Sequence, residues 1–230
     1  MKRILLSILV LAGFVATASA QDGDRHSHKG YITAGGNGGI LSFADIKEAG
    51  DRLNSIPRFT LFFNMGTNYN YDFSNHAGFF SGVNIKNIGL ITKEDNIKLK
   101  RRVYTIGVPL GIKLGDMDGG TMFYGGGELD FAINYKEKRF VNGDKVSKFN
   151  EWFSNRTPTV MPSVFAGVQF SRHFSFKAQY YLNNFFNTSY KDDNGVEPYK
   201  DTDAKILFIT IGYHFRPKNY FHRHRHRYDS

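Results

Sequence analysis

No cysteine occurs anywhere in the chain. This excludes a disulfide framework and a lipid anchor on an N-terminal cysteine, so the fold must be held by other means. Beyond Ala20 no stretch approaches ~18 consecutive apolar residues, which excludes a transmembrane helix. Acid is the scarcer charge: 21 Asp and Glu stand against 30 Lys and Arg, for a formal net charge of +9. A basic balance of this kind first suggests nucleic acid. The N-terminus argues against that partner: Lys2 and Arg3 precede an apolar run from Ile4 to Val15, and Ala18-Ser19-Ala20 forms a small-residue cleavage site. Residues 1–20 are therefore expected to be a signal peptide, with the mature chain beginning at Gln21. The anionic partners available to an exported chain are lipopolysaccharide phosphates, peptidoglycan and acidic proteins.

Aromatic residues and glycine are what the chain has in quantity: 22 Phe, 13 Tyr and 24 Gly. From Gly30 onward apolar residues alternate with polar ones, the period of a strand. Eight segments stand out: about Gly30 to Phe43, Arg58 to Tyr71, Gly78 to Ile91, Tyr104 to Leu114, Met122 to Tyr135, Val160 to Phe170, Phe174 to Asn184 and Ala204 to Phe215. The fourth is the clearest, with Tyr104, Ile106, Val108, Leu110, Ile112 and Leu114 on one face and Thr105, Gly107, Pro109, Gly111 and Lys113 on the other. The pattern of the third shifts near Ile88, as at a bulge. Consistently apolar faces beside consistently polar, glycine-rich ones suit strands between lipid and a polar lumen. Connections after the second, fourth and sixth segments are short, and the others are mostly longer. The expected fold is all-β: a closed eight-stranded antiparallel up-and-down transmembrane β-barrel over residues 30–215, with both termini on the short-turn, periplasmic side. Residues 21–29 are then a periplasmic segment and 216–230 a basic His/Arg-rich periplasmic tail. The alternative is a soluble β-sandwich or lipocalin-like barrel. The stretch from Phe43 to Asn54, with Asp45 near its start, reads as a short helix.

The fourth segment contains Val108-Pro109-Leu110-Gly111-Ile112-Lys113, with Phe80-Ser-Gly-Val-Asn84 before it and Gly125-Gly-Gly-Glu-Leu129 after it. In these features the chain resembles the PorT-like outer-membrane β-barrel proteins of the Bacteroidota over roughly Gly30 to Phe215. Pro109, Leu110 and Lys113 carry the match, and the basic tail departs from it. The resemblance implies outer-membrane insertion and no particular activity; some relatives serve protein secretion or gliding.

An eight-stranded barrel is filled by its own side chains. Strand parity turns Lys86, Lys113, Glu128, Asp130 and Lys177 inward with Asn84 and Gln179, and buried charges must pair, so a charge network across the lumen is expected. Glu128 and Asp130, two apart on one face, also have the spacing of a catalytic carboxylate pair. All eight histidines fall at the periplasmic end in this topology, whereas a barrel enzyme acting on lipid A would need one near the outer leaflet. In the tail, His222, His224 and His226 alternate with arginine. They would share one face of an extended strand and are candidate ligands for Zn²⁺ or Cu²⁺, though the interleaved arginines would repel a cation. A solvated basic tail, touching peptidoglycan or a periplasmic protein, is the other reading. The loop from Lys136 to Thr159 mixes bases with Phe140, Phe149, Trp152 and Phe153 and suits contact with lipopolysaccharide. The expectation is a non-enzymatic structural or interaction protein of the envelope, without cofactor. Its alternatives are an accessory of a secretion or gliding assembly that docks through the tail, and a lipid A-modifying barrel enzyme.

Overall fold

The computed structural model describes residues 29–215, apart from 62–63, 118–119 and 171–172. The expected leader, the segment that follows it, and the tail with His222, His224 and His226 lie outside the described residues. Among the described residues, twelve strands follow in chain order: β1 (Lys29–Glu48), β2 (Asp51–Arg52), β3 (Ser55–Ile56), β4 (Arg58–Leu61), β5 (Asn64–Asp72), β6 (Ala77–Glu94), β7 (Ile97–Gly115), β8 (Met122–Val141), β9 (Asp144–Trp152), β10 (Val160–Phe170), β11 (Phe174–Tyr181) and β12 (Thr202–Phe215). They form one antiparallel sheet in the order β10-β11-β12-β1-β5-β6-β7-β8-β9, and β10 also pairs with β8. Short β2 and β4 lie on β1, and β3 lies on β6. No helix among the described residues is long and apolar enough to cross a membrane.

The expected helix near Asp45 is instead the far end of β1. There Ile40, Ser42 and Ile46 are buried while Phe43 and Asp45 are exposed, a period of two that a helix cannot produce. Arg52 of β2 folds back to bind Asp45 at 2.9 Å. The second expected segment is divided into β4 and β5. The shift near Ile88 does not break the β6–β7 ladder, whose register is continuous from Asn84↔Gly107 to Glu94↔Ile97. The break lies on the other edge of β6: pairing with β5 ends at Asn64↔Lys86 and resumes with β3 at Ile56↔Ile91.

Two expected long connections are shorter. Only Asp95 and Asn96 separate β6 from β7. The stretch after Tyr135 continues β8 and returns as β9 through Asn142-Gly143, both at positive φ (52° and 96°), the backbone of a two-residue hairpin. β8 changes partner at this point. It pairs with β10 up to Phe131↔Val160 and with β9 from Asn134↔Trp152, with an irregularity in its β7 register beside Ile133.

Side chains divide cleanly between the two faces. On β7, Val103, Thr105 and Lys113 are buried, while Val108, Leu110, Ile112 and Leu114 are exposed. Exposed Phe79, Val83, Ile85, Phe123, Leu129 and Phe131 extend the apolar surface onto β6 and β8. The usual soluble arrangement is thus inverted: ion pairs are buried and large apolar side chains are bare.

Pro109 sits mid-strand without an N–H to donate. The ladder between β6 and β7 shows no pair between Ser81↔Leu110 and Asn84↔Gly107, and the Ser81 hydroxyl donates to the Pro109 carbonyl at 2.8 Å instead.

Candidate functional site

The buried face holds three layers. At the long-loop end, Tyr135, Phe185, Phe186, Tyr199, Ile206 and Phe208 belong to one apolar cluster. Phe186 stacks on Tyr199 with ring centroids 4.5 Å apart, and Arg101 lies over the Phe186 ring at 5.2 Å. Arg101 Nε meets Glu137 Oε2 at 3.0 Å. Burial, followed by Tyr199 and Glu137 beside it, raises the Tyr135 hydroxyl well above its ordinary value of 10.0. That group stays protonated and donates to Glu137 Oε2 at 2.9 Å.

The middle layer contains Lys86, Glu128 and Asp130, all essentially without solvent exposure. Lys86 Nζ lies 2.9 Å from Glu128 Oε2 and 3.0 Å from Asp130 Oδ2. The Asn84 amide donates to Glu128 Oε1 at 2.9 Å and the Gln179 amide to Oε2 at 2.8 Å. The Thr105 hydroxyl donates to Asp130 Oδ1 at 3.0 Å and the Tyr181 hydroxyl to Oδ2 at 2.9 Å. All four carboxylate oxygens are therefore engaged by donors from β6, β7 and β11. An Ala Cβ at Gly107 would fall 2.3 Å from Glu128 Oε1 and 2.6 Å from Asp130 Oδ1, so only glycine leaves room for both carboxylates there.

The third layer, toward the short turns, is looser. Lys113 does not join Glu128 and Asp130. Its Nζ lies 2.5 Å from Asp72 Oδ1, 3.0 Å from the Tyr31 hydroxyl and 3.2 Å from Asn70 Oδ1. Lys177 makes no ion pair within 4.0 Å among the described residues; its ammonium lies 5.5 Å from the Phe165 ring centroid. A cavity of about 80 Å³ separates these two lysines, bordered also by Asn68, Phe80 and Tyr124.

Of the five charges expected in one network, three meet and two stand apart. The sequence reading missed Asp72, which it placed in a turn, and the hydroxyls of Thr105 and Tyr181. Parity was the signal for the two hydroxyls, Thr105 sharing a strand face with Lys113 and Tyr181 with Lys177; Asp72 continues the inward face of Asn64 and Asn70 on β5. Pro109 shares the buried face, and Leu110 is 65% exposed opposite it. No group of three or more potential metal ligands occurs among the described residues. Geometrically, the middle layer is an ion-pair plug in which each oxygen of Glu128 and Asp130 already accepts a hydrogen bond.

An antiparallel sheet that buries an ion-paired layer beside an apolar cluster and exposes a band of large apolar side chains is the class these observations define. No family model matches the chain, and no curated protein matches it. Among solved structures it is similar to Ail, the attachment invasion locus protein of Yersinia pestis, in complex with the heparin analogue sucrose octasulfate, at 18% identity over 83% of this chain and 100% of that one, with a TM-score of 0.38. It is also similar to Neisserial surface protein A, at 13% identity over 83% and 99% of the two chains and a TM-score of 0.39. A third is the N-terminal β-barrel domain of Pseudomonas aeruginosa OprF, at 12% identity over 79% and 99% and a TM-score of 0.25.

Proposed function

We propose that the chain is an outer-membrane protein whose sheet closes through β8 and β10 into an eight-stranded barrel, exported with residues 1–20 removed, and that it serves the envelope as a non-enzymatic structural or interaction element. The observation that carries this reading is the outward apolar band. On β7 it runs from Ile106 to Leu114, and on β8 from Phe123 to Phe131, lengths close to the ~9–11 residues of a tilted membrane strand. Closure is supported by the plug: side chains of β6, β8 and β11, which are not neighbours in the sheet, share the same carboxylates. The filled lumen favours a wall or anchor over a pore. The segment from Val108 to Lys113 supports placing the chain among PorT-like barrels of the Bacteroidota.

Leu110→Arg separates this reading from a soluble β-protein. In a bilayer, an arginine on the lipid face near the midplane costs ~2–4 kcal/mol. In water, substitution of an exposed leucine changes stability by no more than ~0.5 kcal/mol. Urea unfolding in lipid vesicles should show the larger loss, and the unboiled protein should run faster than the boiled on a gel. A neutral effect with no change in mobility would sink the membrane reading.

A further inference from the structure

We propose that the outward face of β6, β7 and β8 just beyond the apolar band holds the phosphate group of an anionic outer-leaflet glycolipid, in a cleft bounded by Arg58, Asn87, Lys100 and Arg102. The inference rests on the barrel reading and adds to it a site and a ligand class.

The first observation is charge without a counterpart. Past Ile106 and Tyr104, the outward face of β7 continues as Arg102, Lys100 and Lys98. The register sets Lys136 directly opposite Arg102, Lys138 opposite Lys100, and Lys148 of β9 opposite Lys138. Like charges placed directly across a ladder repel. Among the described residues, none of Lys100, Arg102, Lys136, Lys138 and Lys148 has an acidic partner within 4.0 Å. The strand rise of ~3.3 Å per residue puts Arg102 about one headgroup's depth beyond the apolar band.

The second observation is a seam. Between Asn64↔Lys86 and Ile56↔Ile91, β4 pairs with β1 rather than with β6. A cleft of about 350 Å³ opens there, and Phe59 and Ile91 give it an apolar side.

The third is a pair of idle donors inside it. Arg58 Nη2 donates to Asn87 Oδ1. This leaves Arg58 Nη1 and Asn87 Nδ2 buried with no hydrogen-bond partner, in residues 8% and 1% exposed. Buried donors call for acceptors. A phosphate supplies several acceptor oxygens and the missing negative charge, and guanidinium geometry suits it. Because the cleft adjoins the lipid-facing band, a phosphate carried by a lipid reaches it with its acyl chains still in the apolar phase.

The test uses the full mature protein in nanodiscs, titrated with bis-phosphorylated lipid A, a dephosphorylated lipid A and inorganic phosphate. Three variants are compared: unchanged, Arg58→Gln/Lys100→Gln/Arg102→Gln, and Lys47→Gln/Lys191→Gln/Lys200→Gln, which removes equal charge elsewhere. The expected result is a loss of at least tenfold in affinity for phosphorylated lipid A in the first triple variant, little change in the second, and weak binding of the dephosphorylated lipid. Equal losses in both variants would reduce the effect to bulk charge and overturn the site. Equal affinity for inorganic phosphate would overturn the lipid as its source. Heat-modifiable mobility of each variant is measured in parallel: its absence in the unchanged protein refutes the barrel itself, whereas its retention with unaltered lipid binding refutes only the site.

Discussion

Lys86 is the residue on which the buried face depends most directly. It is a single cation between two carboxylates with no solvent to share the charge. Removing one member of such a buried group leaves uncompensated charge, which costs ~3–5 kcal/mol, whereas replacing the whole group by neutral side chains of similar shape is far milder. Lys86→Met should therefore lower stability by about 3–5 kcal/mol in urea titrations of the refolded protein. Lys86→Met combined with Glu128→Gln and Asp130→Asn should recover most of that loss. A single variant as stable as the parent would mean that water reaches Glu128 and Asp130 and that the layer is not a dry plug. Gly107 belongs to the same arrangement, since its missing Cβ is the space the two carboxylates occupy.

Along the elements, the basic ladder on β7 and β8 gives a pH dependence whose sign can be worked out. Partial burial first, then Lys98, Lys138, Arg102 and Arg58, lowers Lys100 below its ordinary value of 10.5; burial, Arg102, Lys136, Lys145 and Lys148 do the same to Lys138. A lysine depressed in the folded state makes its full unfavourable contribution below the folded value. That contribution is relieved as pH rises from the folded value toward 10.5. Relative to Lys100→Gln/Lys138→Gln, the parent should gain stability over that alkaline window, and its affinity for phosphorylated lipid should fall over the same window. Parallel stability curves for the two proteins would remove the ladder as a source of strain.

Strand alternation made most of these elements legible. Strands β1, β6, β7, β8 and β12 each contain a segment that period-two patterning marks and run beyond it at one or both ends, because the patterned part has one face turned inward and one bare. The helix reading near Asp45 failed because Ala44, Asp45, Lys47 and Glu48 are ordinary helix residues, and pairing with β12 overrides their local preference. β9 went unread although Asn142-Gly143 is a strong hairpin signal; the bases and aromatics around it drew attention to loop chemistry instead. The charge layers were only half legible. Parity tells which side chains turn inward, but not at which height along the sheet each arrives. Lys113 thus meets Asp72 rather than Glu128 because the offset between strands is fixed by pairing register.

At the scale of the whole molecule, the sheet extends past the end of the β8–β10 ladder. Beyond Ile133, β8 leaves β10 and pairs with β7 on one edge and β9 on the other, and the β8–β9 hairpin ends in a turn where a side chain added at Gly143 would meet nothing within 4 Å. Chain inserted between Asn142 and Gly143 would disturb neither the ion-pair plug nor the β8–β10 ladder. A short epitope placed there should be recognised by antibody on intact cells, with heat-modifiable mobility unchanged; an epitope detected only after the cells are broken would reverse the assigned orientation. On the barrel reading proposed above, the turn at Asn142-Gly143 would be an attachment point for cargo, from which the protein would display foreign sequence at the cell surface.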